Sequence, residues 1–221
     1  MKIPEPHIKT ALLFGASGLV GNHLLRELLK DNYYEKVKIF VRKPLNINDP
    51  KLTEHIIDFN NLSSYSELFK GVTIFCCLGT TIKKAGSQAA FRKVDFDYPY
   101  IIGKLCEANN VNHYLLVSSI GANINSKSFY PKLKGEIEQE IIKLGFEKAS
   151  IFRSSFLVGE RKEKRAGEKI GILISNLFSF LSIGRLKEYK PILAKTVAKA
   201  MLATAKKTSN NKISIYESSQ I

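Results

Sequence analysis

The chain has 221 residues, 44% of them hydrophobic, and three cysteines, enough apolar content for one well-packed domain held without covalent staples. Cys76, Cys77 and Cys106 are odd in number and lack C-x-x-C spacing, which excludes a disulfide framework and a cysteine zinc site. The formal charge of +14 is uneven: residues 1–110 hold 15 Lys/Arg against 11 Asp/Glu, and residues 111–221 hold 19 against 9. The excess of +10 in the second half is scattered rather than set along one helix, so it reads as a solvated surface, and no nucleic-acid-binding signature accompanies it.

In chain order, apolar or β-branched runs recur at 8–14, 37–41, 55–57, 72–77, 114–118, 149–152 and 212–216, and helical patterns lie between most of them. The helical patterns are 18–30, 65–70, 87–109, 131–144, 168–181 and 196–206. This alternation predicts an α/β fold, a doubly wound parallel sheet of about seven strands with helices on both faces. Pro99 is expected to kink or divide the long 87–109 pattern, with Asp97 capping its second part. Residues 154–191, charged and then apolar, depart from the alternation and read as a small elaboration on the substrate side of a single domain spanning 1–221.

The first strand runs into Gly15-Ala16-Ser17-Gly18-Leu19-Val20-Gly21 and then a helix. Glycines at this spacing permit a tight turn, close approach of a pyrophosphate to the main chain, and close packing of helix on strand. The unpaired N–H groups of the new helix then face the phosphates, so this loop is read as the dinucleotide cradle.

The second strand ends in Arg42-Lys43, where a site for NAD usually carries an acid. Arg42 suits a 2′-phosphate instead, through a charge-assisted contact worth roughly 1.5–3 kcal/mol, with Lys43 adding a looser charge. NADP, with NADPH preferred over NADH, is therefore the expected cofactor. Asp58, or the N–H of Phe59, falls where it meets the adenine amino edge, and Leu78-Gly79-Thr80 ends the fourth strand where Gly79 lets the backbone approach the cofactor. Cys77 reads as an inert core thiol, and the histidines (His7, His23, His55, His113) show no metal-ligand spacing.

Tyr130 and Lys134 lie one helical turn apart and face the same side. A lysine charge about 4 Å from a phenol favours the phenolate by roughly 4 kcal/mol at an effective dielectric of about 20, which would fit Tyr130 for proton exchange with a carbonyl or alcohol oxygen. Pro131 suits the first helical position and makes Tyr130 the candidate N-cap. Ser119, with Ser118 as the fallback, ends the preceding strand where a hydroxyl can orient the same oxygen, and Ser118 is also expected at the cofactor.

These residues together resemble the short-chain dehydrogenases/reductases of the extended or atypical type. More narrowly, Phe75-Cys76-Cys77-Leu78-Gly79-Thr80-Thr81, Lys84-Ala85-Gly86, Lys93-Val94-Asp95-Phe96-Asp97-Tyr98 and Lys134-Gly135-Glu136-Ile137-Glu138 resemble the Tat-interacting-protein-like NADP-binding oxidoreductases and their bacterial relatives. The resemblance implies a Rossmann domain that binds NADP(H), with a Ser/Tyr/Lys catalytic set of Ser119, Tyr130 and Lys134. Relatives often carry Arg-Pro where Arg153-Ser154 stands, and Pro131 is unexpected within the Tyr/Lys segment.

The leading expectation is a reductase acting on a small carbonyl or alcohol substrate, and an epimerase or isomerase would use the same residues. A cofactor-sensing scaffold that meets a protein partner through residues 154–191 is the alternative from another class, as monomer or homodimer. The start of the chain lacks an apolar signal core, and the longest uncharged apolar stretch, 170–184, falls short of a bilayer span. A cytoplasmic protein is therefore expected.

Overall fold

A computed structural model describes residues 8–159 and 189–221. The elements are β1 (Thr10–Phe14), α1 (Leu19–Lys30), β2 (Lys36–Val41), β3 (Leu52–Ile56), a 3-10 segment (Phe59–Leu68), β4 (Thr73–Cys76), α2 (Ile82–Ala85) and α3 (Gln88–Arg92). After them come a π-helical turn (Lys93–Asp97), α4 (Tyr98–Ala108), β5 (His113–Ser119), α5 (Phe129–Lys143), β6 (Lys148–Ser154), the short β7 (Leu157–Val158) and β8 (Ile192–Leu193), α6 (Ala194–Lys206) and β9 (Ile213–Glu217).

Seven strands form one sheet in the order β3-β2-β1-β4-β5-β6-β9, and every pairing in it is parallel. This is the doubly wound Rossmann-type α/β sheet. Strand side chains alternate between its faces. Leu13, Phe75, Leu115 and Phe152 pack under Leu24, Leu25 and Leu28 of α1 and Met201 of α6. On the other face Leu12, Phe14, Ile74 and Leu116 meet Ile102 and Cys106 of α4 and Ile137 and Ile141 of α5. With both faces covered, the central strands are buried along their length and read as continuous apolar runs.

The strand order reverses between β1 and β4, so the loops leaving these neighbours diverge above the sheet and open a crevice at its carboxyl edge. Gly15 takes φ +86, a left-handed value that an L side chain rarely adopts, and Gly18 N donates to Gly15 O at 2.9 Å to close the turn. A Cβ at Gly21 would lie 2.1 Å from Gly15 O, so α1 can lie this close to the loop only without one.

Four local expectations are corrected. The 65–70 helix is the end of a 3-10 segment that starts at Phe59, where the Asp58 side chain accepts from Asn60 N at 2.9 Å. The 87–109 pattern is not divided by an Asp97 cap. Asp97 has helical torsions and caps nothing, and in the π turn before α4 the Tyr98 N–H reaches back to Lys93 O. Pro99 follows as an early residue of α4, where its missing N–H costs little. Ser128, not Tyr130, is the N-cap of α5, which puts Pro131 inside the first turn, again among N–H groups that lack a helical partner. The strand read at 55–57 is β3, which starts three residues earlier and runs Leu52–Ile56; the short α2, capped by Thr81 accepting from Lys84 N at 3.2 Å, follows the loop after β4. Most of the 154–191 elaboration, including the 168–181 pattern, lies outside the described residues, as does His7.

Candidate functional site

The crevice at the reversal point is a cleft of about 100 Å³ lined by Gly15, Ser17, Gly18, Phe40, Val41, Arg42, Phe59, Cys77, Leu78, Gly79, Val94 and Tyr98. Its floor follows from the strand ends. Parallel pairing of β1 with β4 brings Phe14 beside Cys76 and delivers the glycine loop and Leu78-Gly79 to the same edge. No side chain caps the N-terminus of α1, which leaves its first N–H groups for another acceptor. An uncapped helix start behind a glycine turn fits a pyrophosphate, and Gly79 leaves room opposite, since a Cβ there would meet nothing nearer than Asp95 Oδ1 at 3.7 Å.

Arg42 is exposed at the end of β2, and Lys43 follows it away from the cleft lining. Arg42 and Asp58 both act on Tyr98. Burial holds its phenol above the usual range, the Asp58 carboxylate adds to the rise, and Arg42 opposes it. Asp58 itself is engaged locally, since Oδ1 accepts from Asn60 N at 2.9 Å and Asn60 Nδ2 at 3.0 Å. Its carboxylate is thus a loop cap, whereas Phe59 lines the cleft. Beside it a shallower hollow of about 280 Å³ shares Phe59 and Tyr98 and adds Asn60, Lys93, Asp97, Tyr100 and Ile101. Of the remaining loop residues, Ala16 and Val20 are buried beneath the turn, and Leu19 packs against the α1/α6 core.

The second constellation lies where α5 meets the loop after β5. Asn123 N donates to Pro131 O at 2.9 Å, and a Cβ on Gly135 would sit 2.3 Å from Ile124 N, so the helix start is pressed against this loop. Tyr130 is exposed, with its ring 5.7 Å from that of Phe91. Lys134 is buried and its ammonium lies 6.0 Å from the Tyr130 ring centroid. The lysine charge is not unopposed. Lys134 Nζ donates to Asp95 Oδ1 at 2.6 Å. Burial, the largest influence on Lys134, favours the neutral amine, but the Asp95 carboxylate, with Tyr130 and the Cys76 thiol adding to it, leaves the lysine pKa above its ordinary value.

The two serines at the end of β5 separate in role. Ser118 is buried, and its hydroxyl donates to Glu138 Oε1 at 2.5 Å. Glu138 is also gripped by Arg153, through Nε at 3.1 Å and Nη2 at 2.6 Å, and Arg153 Nη1 reaches Glu217 Oε1 at 2.8 Å. Neither the fallback role nor the cofactor role expected of Ser118 suits a hydroxyl committed to this cluster. Ser119 is half-buried at the strand end, and the only hydrogen bond of its hydroxyl among those described is to Ile120 O at 3.3 Å. Thr80, expected at the cofactor, has its N–H held by Asp95 Oδ2 at 2.9 Å.

Besides Phe40, Val41 and Cys77 at the strand ends, three residues of the site were not singled out from sequence: Val94 and Tyr98, which line the cleft, and Asp95, which reaches both Lys134 and the loop after β4. All three come from the π turn and its junction with α4. The signal available for them was the Lys93 to Tyr98 run quoted for its resemblance.

The fold and the cleft together define a protein of the dinucleotide-binding Rossmann class. A family model described as NAD(P)H-binding matches residues 15–157, and the chain belongs to that family, in its branch related to the Tat-interacting-protein-like oxidoreductases. It is similar to Protein HTATIP2 of Rattus norvegicus, 37% identical over 164 residues, which are 72% of this chain and 67% of that one. It is also similar to Protein FMP52, mitochondrial, of Candida albicans, 31% identical over 210 residues, covering 92% of this chain and 91% of that one. In three dimensions it resembles the Bordetella bronchiseptica enzyme WbmH in complex with NAD+, with TM-score 0.71 and 15% identity, covering 96% of this chain and 75% of that one. The cytoplasmic expectation is corrected by these comparisons, since fungal relatives that the chain matches over most of its length are named mitochondrial proteins. Missing features at a chain start are a poor guide to where a protein resides.

Proposed function

We propose that the protein is an NADP(H)-dependent oxidoreductase that reduces the carbonyl of a small substrate, with Ser119, Tyr130 and Lys134 as its acting residues. The observation that carries the cofactor reading is the cleft itself, which is lined both by the glycine loop at the uncapped start of α1 and by Arg42, with no acid beside it on β2. Gly15, Ser17 and Gly18 would hold the pyrophosphate, Arg42 the 2′-phosphate, and Phe59, Leu78 and Gly79 would flank the adenosine half. The bound dinucleotide supplies a hydride.

The chain's own residues do the remaining work. Tyr130, exposed at the start of α5, gives its phenolic proton to the substrate oxygen, and Ser119 at the end of β5 orients that oxygen. Lys134, one turn behind Tyr130, keeps a positive charge over the Tyr130 ring.

The test is calorimetric titration of wild type and Arg42→Ala with NADPH and NADH. The expected result is tighter binding of NADPH and a loss of roughly tenfold or more in the variant, the size of a charge-assisted contact. Equal affinities for the two cofactors, or an unaffected variant, would refute the 2′-phosphate assignment.

A further inference from the structure

Lys134 and Asp95 are both buried, 39 residues apart in sequence, and form an ion pair at 2.6 Å. A buried pair of this kind is held at the cost of desolvating two charges, so its geometry and its remaining hydrogen bonds are informative. Asp95 uses both carboxylate oxygens. Oδ1 takes the Lys134 ammonium, and Oδ2 takes the Thr80 N–H at 2.9 Å, directly after the Leu78-Gly79 backbone that lines the cleft.

The carboxylate is presented by the π turn 93–97, in which the residue before Asp95, Val94, lines that cleft. One carboxylate thus ties three elements, the loop after β4, the π turn and α5. A carboxamide of the same shape could still accept from Thr80 but would leave the ammonium without a counter-charge.

We propose that Asp95 is the positioning residue of this site, fixing the charge and the place of Lys134 and tying it to the loop that forms one wall of the cofactor cleft. The proposal rests on the reading of the cleft as a dinucleotide site with Lys134 at its border. The groups that face Lys134 are Asp95 from the π turn, Tyr130 from its own helix and the Cys76 thiol from β4. Among these Asp95 alone hydrogen-bonds to the ammonium. With Asp95 ionised, the lysine keeps its proton throughout the neutral and mildly alkaline range. Without that carboxylate, burial favours the neutral amine, and the charge is lost as pH rises.

The experiment is the affinity for NADPH at pH 7 and about pH 9.5 in wild type, Asp95→Asn and Lys134→Met. Wild type is expected to bind with little change between the two conditions. Asp95→Asn should bind several-fold more weakly at the higher pH after normalisation to wild type, as expected when a site loses a charge on titration. Lys134→Met should bind weakly at both. A merely structural role for Asp95 would weaken binding equally at both pH values, and a wild-type profile in Asp95→Asn overturns the proposal outright. Wild-type affinity in Lys134→Met would instead remove Lys134 from the cofactor site, which refutes the underlying reading and this role with it.

Should Asp95→Asn fail to fold, the 13Cε resonance of Lys134 in the wild-type protein answers the same question. Its titration midpoint is expected above the ordinary lysine value of 10.5, and a midpoint at or below that value overturns the proposal.

Discussion

Gly21→Ala separates two opposing effects whose magnitudes decide its sign. Gly21 lies within α1, where intrinsic propensity favours alanine over glycine by about 1 kcal/mol and predicts a more stable protein. The structure predicts the reverse. An added Cβ would stand 2.1 Å from Gly15 O, 2.7 Å from Gly15 C and 3.1 Å from Ala16 Cα, all backbone atoms of a loop fixed by its own left-handed glycine.

Comfortable carbon contacts are about 3.5–4 Å, so the helix must back away by roughly 1 Å or more, loosening Leu24, Leu25 and Leu28 against the sheet. Overpacking of this kind costs about 1–3 kcal/mol, and a clash with rigid backbone belongs at or beyond the upper end. Offset by the propensity gain, the net is about 2 kcal/mol of destabilisation, which lowers Tm by about 4–8 °C in a protein of this size. NADPH affinity should fall too, because the loop moves with the helix.

Gly79→Ala is the control. Its Cβ would meet nothing nearer than 3.7 Å, so Tm should hold within about 2 °C while the cleft narrows and binding weakens. Scanning calorimetry of the two variants with and without NADPH measures both effects. A higher Tm in Gly21→Ala than in wild type would refute the packing argument.

Three further outcomes are expected. His113 is buried against Ser150, with ring nitrogen and hydroxyl 2.9 Å apart, and burial lowers its pKa from 6.5 to about 4. Between these values the unfolded chain binds a proton that the native state does not, so stability falls with falling pH, by about 2 kcal/mol from pH 7 to pH 5 for this group. Urea unfolding of wild type and His113→Gln should show that difference in slope, and parallel profiles would refute it.

Arg153→Met strands the buried Glu138 carboxylate beside Ser118 and should cost about 3–5 kcal/mol, part of which Glu138→Gln restores in the double variant. A loss under 1 kcal/mol in urea unfolding would contradict this. Tyr130→Phe should lower turnover on a panel of carbonyl substrates by roughly 10²–10⁴ while leaving the melting temperature near that of wild type, and unchanged rates would remove the phenol from the mechanism.

How much of this was legible in sequence follows the range of the interactions involved. The strands and α1 were readable because apolar runs and the glycine spacing are local, and a parallel sheet covered on both faces leaves little choice of where those runs go. The pairing of β1 with β4, which makes the cleft, was not legible, because alternation of strands and helices fixes neither strand order nor register. The π turn was not legible. Residues 93–97 read as ordinary helix, and Pro99 suggested a break, because a single sequence does not show that one wider turn can take up the proline and still continue the helix.

The partners of buried charge were the least visible, and for one physical reason. Lys134 was read against its neighbour Tyr130, four residues away, and Ser118 against the substrate oxygen, since both readings rest on spacing. The structure commits Lys134 to Asp95, 39 residues distant, and Ser118 to Glu138, 20 residues distant. A charged side chain pressed between helix and sheet must find a counter-charge wherever topology delivers one. The carboxyl edge of this sheet gathers chain from β4, β5, β6, the π turn and α5, and so contains two such clusters side by side. One, Arg153 with Glu138 and Glu217, reaches across to β9 and locks the strand ends. The other borders the cleft, and its lysine is the one that sequence spacing had already assigned to the phenol. The spacing of Tyr130 and Lys134 therefore describes only half of the lysine's surroundings, and the carboxylate beneath it sets the charge that any chemistry at Tyr130 meets.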